Sequence, residues 1–288
     1  MQKQTDIGII GKGFVGNAIF QGLNHYYNVK TYDVDPKKSS HTFDDVINCD
    51  LVFLSVPTPM HEESGECDLS YIKSVFDNVL KIEDRNKSAT FVIKSTVPVG
   101  TTEQLNSEYD INIIHSPEFL TARTAVTDFI CPSRHIIGGH PARGIDKLQK
   151  LYESRFPGVP CLIMSSDESE FVKYFANCFF ATKVSFFNEM KVFSDAKCLD
   201  WQNIINGVMS DGRIGISHYQ VPGADGDYGF GGTCFPKDIN ALINSLQKES
   251  VDPLVLKAAW QRNLLVRNNK DWEGQKSAVT KNENNYDQ

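Results

Sequence analysis

The chain has 288 residues, enough for about two domains at a prior of roughly 150 residues each, and it is 41% apolar and 23% charged, an ordinary globular balance. Lys and Arg total 29 against 36 Asp and Glu, a net charge of −7 with no basic block, which argues against nucleic acid as the main partner. Apolar runs such as 51–56 (LVFLSV) are too short to span a membrane, and MQKQTDIGII lacks a signal-peptide layout, so a cytoplasmic protein without membrane partners is expected. The cysteines at 49, 67, 131, 161, 178, 198 and 234 form no CxxC or zinc-like spacing, which predicts free thiols, most of them small buried hydrophobes, and no metal site.

Strand-like runs at 6–10, 28–33, 50–56, 89–94, 110–115 and 134–138 alternate with helical stretches near 14–24, 69–81, 99–108 and 141–155. Strands apolar on both faces, separated by helices, imply an α/β, doubly wound, Rossmann-like and mostly parallel sheet. At SSDESEF (165–171) the pattern changes, and Ser166 or Asp167 is a candidate cap for a helix running to about 197 without Pro or Gly. Phe171, Phe175, Phe179, Phe180, Phe186 and Phe187 surround it with apolar surface, which suggests burial between layers or subunits. Helices near 200–209, 237–248 and 253–268 complete an all-helical region, with a Gly- and Asp-rich loop at 216–235. The expected division is a dinucleotide-binding domain at 1–165, a helical catalytic and dimerisation domain at 166–273, and a polar, disordered tail at 274–288.

Gly11-Lys12-Gly13-Phe14-Val15-Gly16 follows the first strand and opens a helix, the GxGxxG turn that sets a pyrophosphate on a helix N-terminus. Asp33 falls 20 residues after Gly13, where an acidic side chain meets a ribose hydroxyl and repels a 2′-phosphate, so NAD is favoured over NADP. Thr58 and Pro59 in SVPTP, and Ser95 and Thr96 in KSTVPVG, sit at the carboxyl ends of strands, where doubly wound sheets bind ligands.

Lys173 and Asn177 share one face of the long helix, and Lys173 lies in the apolar stretch EFVKYFANCFF. In GFGGTCFPKD (229–238), Pro236 suits a helix start, which places Cys234 where a helix dipole favours the nucleophilic thiolate. Asp238, in the first turn of that helix, is a candidate to orient Lys173 or a water, and Glu118 in HSPEFL is a candidate base.

The motifs GKGFVG, SVPTP, STVPVG, SPEFL, KYFANCFFATKVSFFNE and GFGGTCFPKD, in this order over about residues 5–270, resemble the UDP-glucose/GDP-mannose dehydrogenase family. The resemblance implies an NAD-dependent oxidation of a nucleotide-sugar alcohol, UDP-glucose foremost, to a carboxylate through a thiohemiacetal and a thioester on Cys234. It implies Lys173 and Asn177 as oxyanion stabilisers, Asp238 as support, Glu118 as base in hydrolysis and Thr96 as holder of the water. It also implies substrate contacts at Phe119, Leu120 and Gly231, and a homodimer in which Arg213 reaches the neighbour's substrate. Two departures stand out: Ala122 replaces a second acidic residue, and no strand pattern for the family's third, nucleotide-binding domain follows residue 270. The nucleotide is then held by the first two domains, by a partner, or is not that of an ordinary UDP-sugar, and the loop 216–228, about five residues longer than in the family, is a candidate compensation. Two rival readings are a β-hydroxyacid dehydrogenase making a single hydride transfer, and a non-catalytic homologue that binds NAD.

Overall fold

The computed structural model describes residues 5–281. In chain order it contains β1 (Asp6–Ile10), α1 (Phe14–Leu23), β2 (Asn28–Tyr32), α2 (Phe43–Ile47), β3 (Leu51–Leu54), β4 (Met60–His61), α3 (Ser70–Leu80), β5 (Thr90–Ile93), α4 (Thr101–Tyr109), β6 (Asn112–His115), α5 (Ala125–Ile130), β7 (His135–Gly138), α6 (Ile145–Arg155) and β8 (Cys161–Met164). There follow α7 (Ser166–Ala196), α8 (Trp201–Met209), α9 (Phe235–Lys248), α10 (Leu254–Val266) and β9 (Val279–Thr280). Contacts divide the chain into two units: one holds the chain up to Thr58 together with Leu69–Lys173, the other Pro59–Asp68 together with Tyr174 onward.

The first unit is built on a seven-stranded sheet ordered β2-β1-β3-β5-β6-β7-β8. It is parallel from β2 to β6; β7 runs antiparallel to β6, and β8 parallel to β7. Alternation of side chains sends Ile7, Ile9, Leu51, Phe53, Val92 and Ile114 to one face, under Ala18, Ile19 and Leu23 of α1, Phe129 of α5 and Leu148 of α6. Ile10, Val52, Leu54, Phe91, Ile93 and Ile113 point to the other face, under Val46, Ile72, Phe76, Val79 and Leu105 of α2, α3 and α4. Each such side chain contributes about 1.5–3 kcal/mol on burial, so both layers are fixed by the strands' continuous apolar pattern. The chain steps from β1 to β2 on one side and then to β3 on the other, so the carboxyl ends of β1 and β3 form the switch point where such sheets take ligands.

The sequence pattern omits α2, β4, α5, β8 and β9. Short length hides most of them, and β8 is an edge strand with Leu162 and Ile163 exposed. The cap of α7 also differs from expectation. Ser165 and Glu168 form it reciprocally: the Glu168 N–H donates to Ser165 Oγ at 3.2 Å and the Ser165 N–H to Glu168 Oε2 at 2.9 Å.

The division between units falls inside α7, beyond residue 165, because the first turns of that helix are tied to the sheet unit. Glu170 accepts from the Gly100 and Thr102 N–H groups, capping α4, and Ser169 Oγ bonds His115 Nδ1 at 2.8 Å. In the second unit Tyr174, Cys178, Ala181, Phe230, Ile239, Leu242 and Ala259 pack one core, and Phe187, Ile205 and Val221 another. Seven large apolar side chains along α7 stay exposed: Phe171, Phe175, Phe179, Phe186, Met190, Val192 and Phe193.

The disordered tail expected from residue 274 fails for its first residues. Val279–Thr280 pairs in parallel with Met60–His61, and Met60, Trp272, Ala278 and Val279 are buried together. The remainder of that tail, 282–288, lies outside the described residues. All seven cysteines are free, as expected, but only Cys49 and Cys178 are fully buried, while Cys131 and Cys198 are exposed. Most of them are therefore not core residues.

Candidate active site

The glycine turn follows β1 at the switch point. Gly11 has φ +86°, and a Cβ there would lie 2.6 Å from the Ser55 carbonyl oxygen; one on Gly16 would lie 1.9 Å from that of Gly11. At Gly13 a Cβ would meet nothing within 4 Å, so bare backbone faces open space at the start of α1, the cradle a pyrophosphate needs. Phe14 and Val15 begin the helix, Val15 packing into the core below. Asp33 closes β2 with one carboxylate oxygen accepting from the Lys12 N–H at 2.6 Å and the other from the Asp35 N–H at 2.9 Å. A cavity of about 700 Å³ opens here, lined by Gly11, Gly13, Asp33, Ser55 and Val56, so the residues present fit a dinucleotide. Thr58 and Thr96 are buried and linked, the Thr58 hydroxyl donating to the Thr96 carbonyl at 2.8 Å. Pro59 belongs to the second unit, where its carbonyl accepts the Asp68 N–H at 2.7 Å.

Past β6, Glu118 and Lys173 form a buried ion pair at 3.0 Å, with side chains 7% and 3% exposed. Glu118 also accepts the Leu120 N–H at 2.6 Å, which tightens the SPEFL turn. Phe119 lies under two cations, Lys173 at 5.4 Å and Arg134 at 4.3 Å from the ring centroid.

Four residues along α7, in the second unit, Asn177 Nδ2 donates to Asp238 Oδ2 at 2.6 Å. The other oxygen of Asp238 takes Lys237 Nζ at 2.5 Å. Within this unit, then, Asp238 is engaged by Asn177 and Lys237. Burial works against charge on Lys237, but Asp238, Cys234 and Cys67 hold its pKa above the usual lysine range. Cys234 is the N-cap of α9, half-buried, with the Thr233 hydroxyl 3.7 Å from Sγ. Helix α9 starts at Phe235, two residues before the sequence pattern places it. By contrast, burial pushes the Cys49 thiol up to about 11 and the Cys67 thiol up to about 12, so these are poor nucleophiles.

The loop before Cys234 is held by side chains. Asn188 Oδ1 accepts the Gly229 N–H at 2.9 Å, and Asn263 both accepts the Phe230 N–H at 2.7 Å and donates to its carbonyl at 3.0 Å. Asp271 accepts the Gly232 N–H at 3.0 Å, and Gly231 has no room for a side chain, since a Cβ would lie 2.2 Å from Asp271 Oδ1. Arg267, 2% exposed at its side chain, pairs with Asp225 at 2.7 Å and Asp271 at 3.3 Å. Arg213 is elsewhere on this unit, 90% exposed and paired with Asp211.

Sequence reasoning missed Lys94, Lys237, Asn188, Asn263 and Arg267. Lys94, ending the apolar run TFVIK, and Lys237, beside Asp238, carried a signal as cations in buried settings. The two asparagines carried none.

A mostly parallel sheet with this glycine turn after its first strand has the build of a dinucleotide-binding protein. Models of the UDP-glucose/GDP-mannose dehydrogenase family match residues 37–155 for its NAD binding domain and 167–264 for its central domain. A UDP-glucose 6-dehydrogenase of Pseudomonas aeruginosa is 36% identical over 229 residues, 75% of this chain and 49% of that protein. One from Campylobacter jejuni subsp. jejuni is 32% identical, over 85% of this chain and 71% of that protein. The structure of a UDP-glucose dehydrogenase from Pyrobaculum islandicum superposes with TM-score 0.79 at 26% identity, over 91% of this chain and 68% of that one. The chain belongs to the UDP-glucose/GDP-mannose dehydrogenase family, and NAD is the cofactor of the domain it carries. It spans about half the length of the curated relatives it matches, 49% and 51% for two of them. Among the described residues no helix is long and apolar enough to cross a membrane.

Proposed function

We propose that this chain oxidises the primary alcohol of a nucleotide sugar to a carboxylate in two NAD-linked steps, with UDP-glucose as the first substrate to test and UDP-glucuronate as its product. The observation that carries this reading is Cys234 at the N-cap of α9, followed at once by a buried Lys237–Asp238 pair that binds Asn177. A single hydride transfer needs no nucleophile, so a thiol in this setting fits covalent capture. Each oxidation would use one NAD, which accepts one hydride, so two NAD bound in succession would supply the acceptors.

The first oxidation yields an aldehyde. Cys234 Sγ, as thiolate, adds to its carbonyl carbon, and Lys173 and Asn177 stabilise the negative charge that forms on oxygen. The second oxidation turns this thiohemiacetal into a thioester. A water held by Thr96 gives its proton to Glu118, attacks the thioester and displaces Cys234 as thiolate, leaving the carboxylate. Phe119, Leu120 and Gly231 offer backbone and ring surface to the substrate.

The exposed apolar stripe from Phe171 to Phe193 on α7 supports a homodimer, with Arg213 serving the neighbour's substrate. Free thiols suit a reducing compartment, the cytoplasm. The test is stoichiometry with mass spectrometry: two NADH per carboxylate, with Cys234 acylated during turnover. One NADH per substrate would replace this reading with a hydroxyacid-type dehydrogenase, and no turnover with any nucleotide sugar would leave a binding protein. For the dimer, a purely monomeric species in sedimentation at micromolar concentration would count against it, as would failure of Arg213→Ala and Cys234→Ala subunits to restore activity on mixing.

A further inference from the structure

Lys94 directly follows β5, and its side chain is buried, 4% exposed. Its Nζ donates to the Pro117 carbonyl at 3.1 Å, to Ser116 Oγ at 3.3 Å and to Tyr152 Oη at 3.4 Å. An ammonium has three donors and no acceptor, and three acceptors meet this one. Two of them belong to the residues just before Glu118, which reaches Lys173 at 3.0 Å. A buried ammonium also needs a counter-charge, and Glu118 is the carboxylate that acts on it.

We propose that Lys94 is a positioning residue for Glu118: by clamping the Ser116–Pro117 turn it aims the Glu118 carboxylate at Lys173, and the three side chains act as one charge-coupled unit. This rests on the reading of Glu118 and Lys173 as working groups of the reaction. A simple staple between β5 and α6 would need neither the Pro117 carbonyl nor a carboxylate.

Burial holds the His115 imidazole of β6 down to about 3 and that of His135 on β7 down to about 4, with Lys94 adding to both shifts. Burial likewise raises Tyr152 of α6 well above the usual phenol range. Near neutral pH all three are uncharged, which leaves Lys94, Glu118, Arg134 and Asp128 as the charged residues lining a cavity of about 250 Å³, with Lys173 paired to Glu118. Burial brings Lys94 itself down to about 7, while Glu118 pulls it up and Lys173 pushes it further down.

The experiment is an NMR titration of the full chain with labelled lysine side chains, the Lys94 signal being assigned by its loss in Lys94→Arg. A midpoint near 7 is expected, lower in Glu118→Gln and higher in Lys173→Met. A midpoint at the ordinary lysine value of about 10.4, or one unmoved by either substitution, overturns the proposal. Should one variant not fold, the direction of the shift in the other still decides the coupling, since burial alone lowers the midpoint of the unaltered chain. In turnover, Lys94→Met should lower kcat on the order of 10²-fold, the scale of a misplaced catalytic group, with KM for NAD unchanged. Lys94→Arg should recover part of that loss and should lack the inflection near pH 7; a Met variant with full kcat overturns the role. If the unaltered chain oxidises no nucleotide sugar, the functional reading fails, while the titration still rules on the coupled unit.

Discussion

The glycine turn and the cysteine loop are both tightly held, yet in different ways. The turn is closed mainly by backbone, Gly11 against the Ser55 carbonyl and Gly16 against that of Gly11, with one distant side chain, Asp33, taking the Lys12 N–H. The loop from Gly229 to Cys234 is closed by side chains 41, 33 and 39 residues away, namely Asn188, Asn263 and Asp271. A site closed largely by backbone announces itself in one short glycine motif. A site closed from afar needs the whole unit folded before it exists.

This contrast sets the order of what substitutions should do. Cys234→Ser removes the proposed nucleophile and should lower turnover on the order of 10³–10⁶-fold, while NAD binding, measured by calorimetry, stays as it was. Full activity would dismiss the covalent route. Gly16→Val drives a side chain into backbone 1.9 Å away. It should cost about 4 kcal/mol or more and abolish NAD binding, read by thermal unfolding with and without NAD. Asn263→Ala strips the Phe230 N–H and carbonyl of their partner, at about 1–3 kcal/mol for each buried group left unsatisfied. It should also change the rate at which iodoacetamide alkylates Cys234 and leave NAD affinity unchanged; an unaltered alkylation rate would show that the loop holds itself.

The smallest effect is one of pH and lies in the sheet unit. His115 and His135 stay neutral when folded down to about 3 and about 4, whereas unfolded they take up protons below about 6.5. Their stabilising contribution is therefore complete above pH 6.5 and is lost as pH falls toward the folded values, at up to about 1.4 kcal/mol per pH unit for each histidine. Glu170, which burial raises to about 7, gains stability as pH falls over the same range and offsets part of this loss, so the melting temperature should drop modestly between pH 7 and pH 5, and less steeply in His135→Phe.

Much of this architecture was legible in the sequence, for stated reasons. Strands such as LVFLSV are apolar on both faces, and only a sheet covered on both sides satisfies them. The GxGxxG turn, Asp33, Lys173, Asn177 and Cys234 are short-range patterns. What stayed hidden has long-range causes. The partners of Asp238 depend on which neighbours α7 and α9 present. Asn188 and Asn263 look like any polar helical residues until their amides are seen meeting loop backbone. The tail looked disordered because its composition is polar, while two of its residues pair with a segment over 200 positions earlier.

That last pairing bears on how the protein is made. Met60 waits for Val279, 279 − 60 = 219 residues later. At about 5–20 residues per second of synthesis, the delay is roughly 10–40 s. Until then Pro59–Asp68 leaves the ribosome without the partner strand of its own unit, while the strands of the sheet unit through β8 have already been made. The second unit is thus the last to close, and the residues around Trp272 and Val279 are where a stalled or clipped chain would first fail.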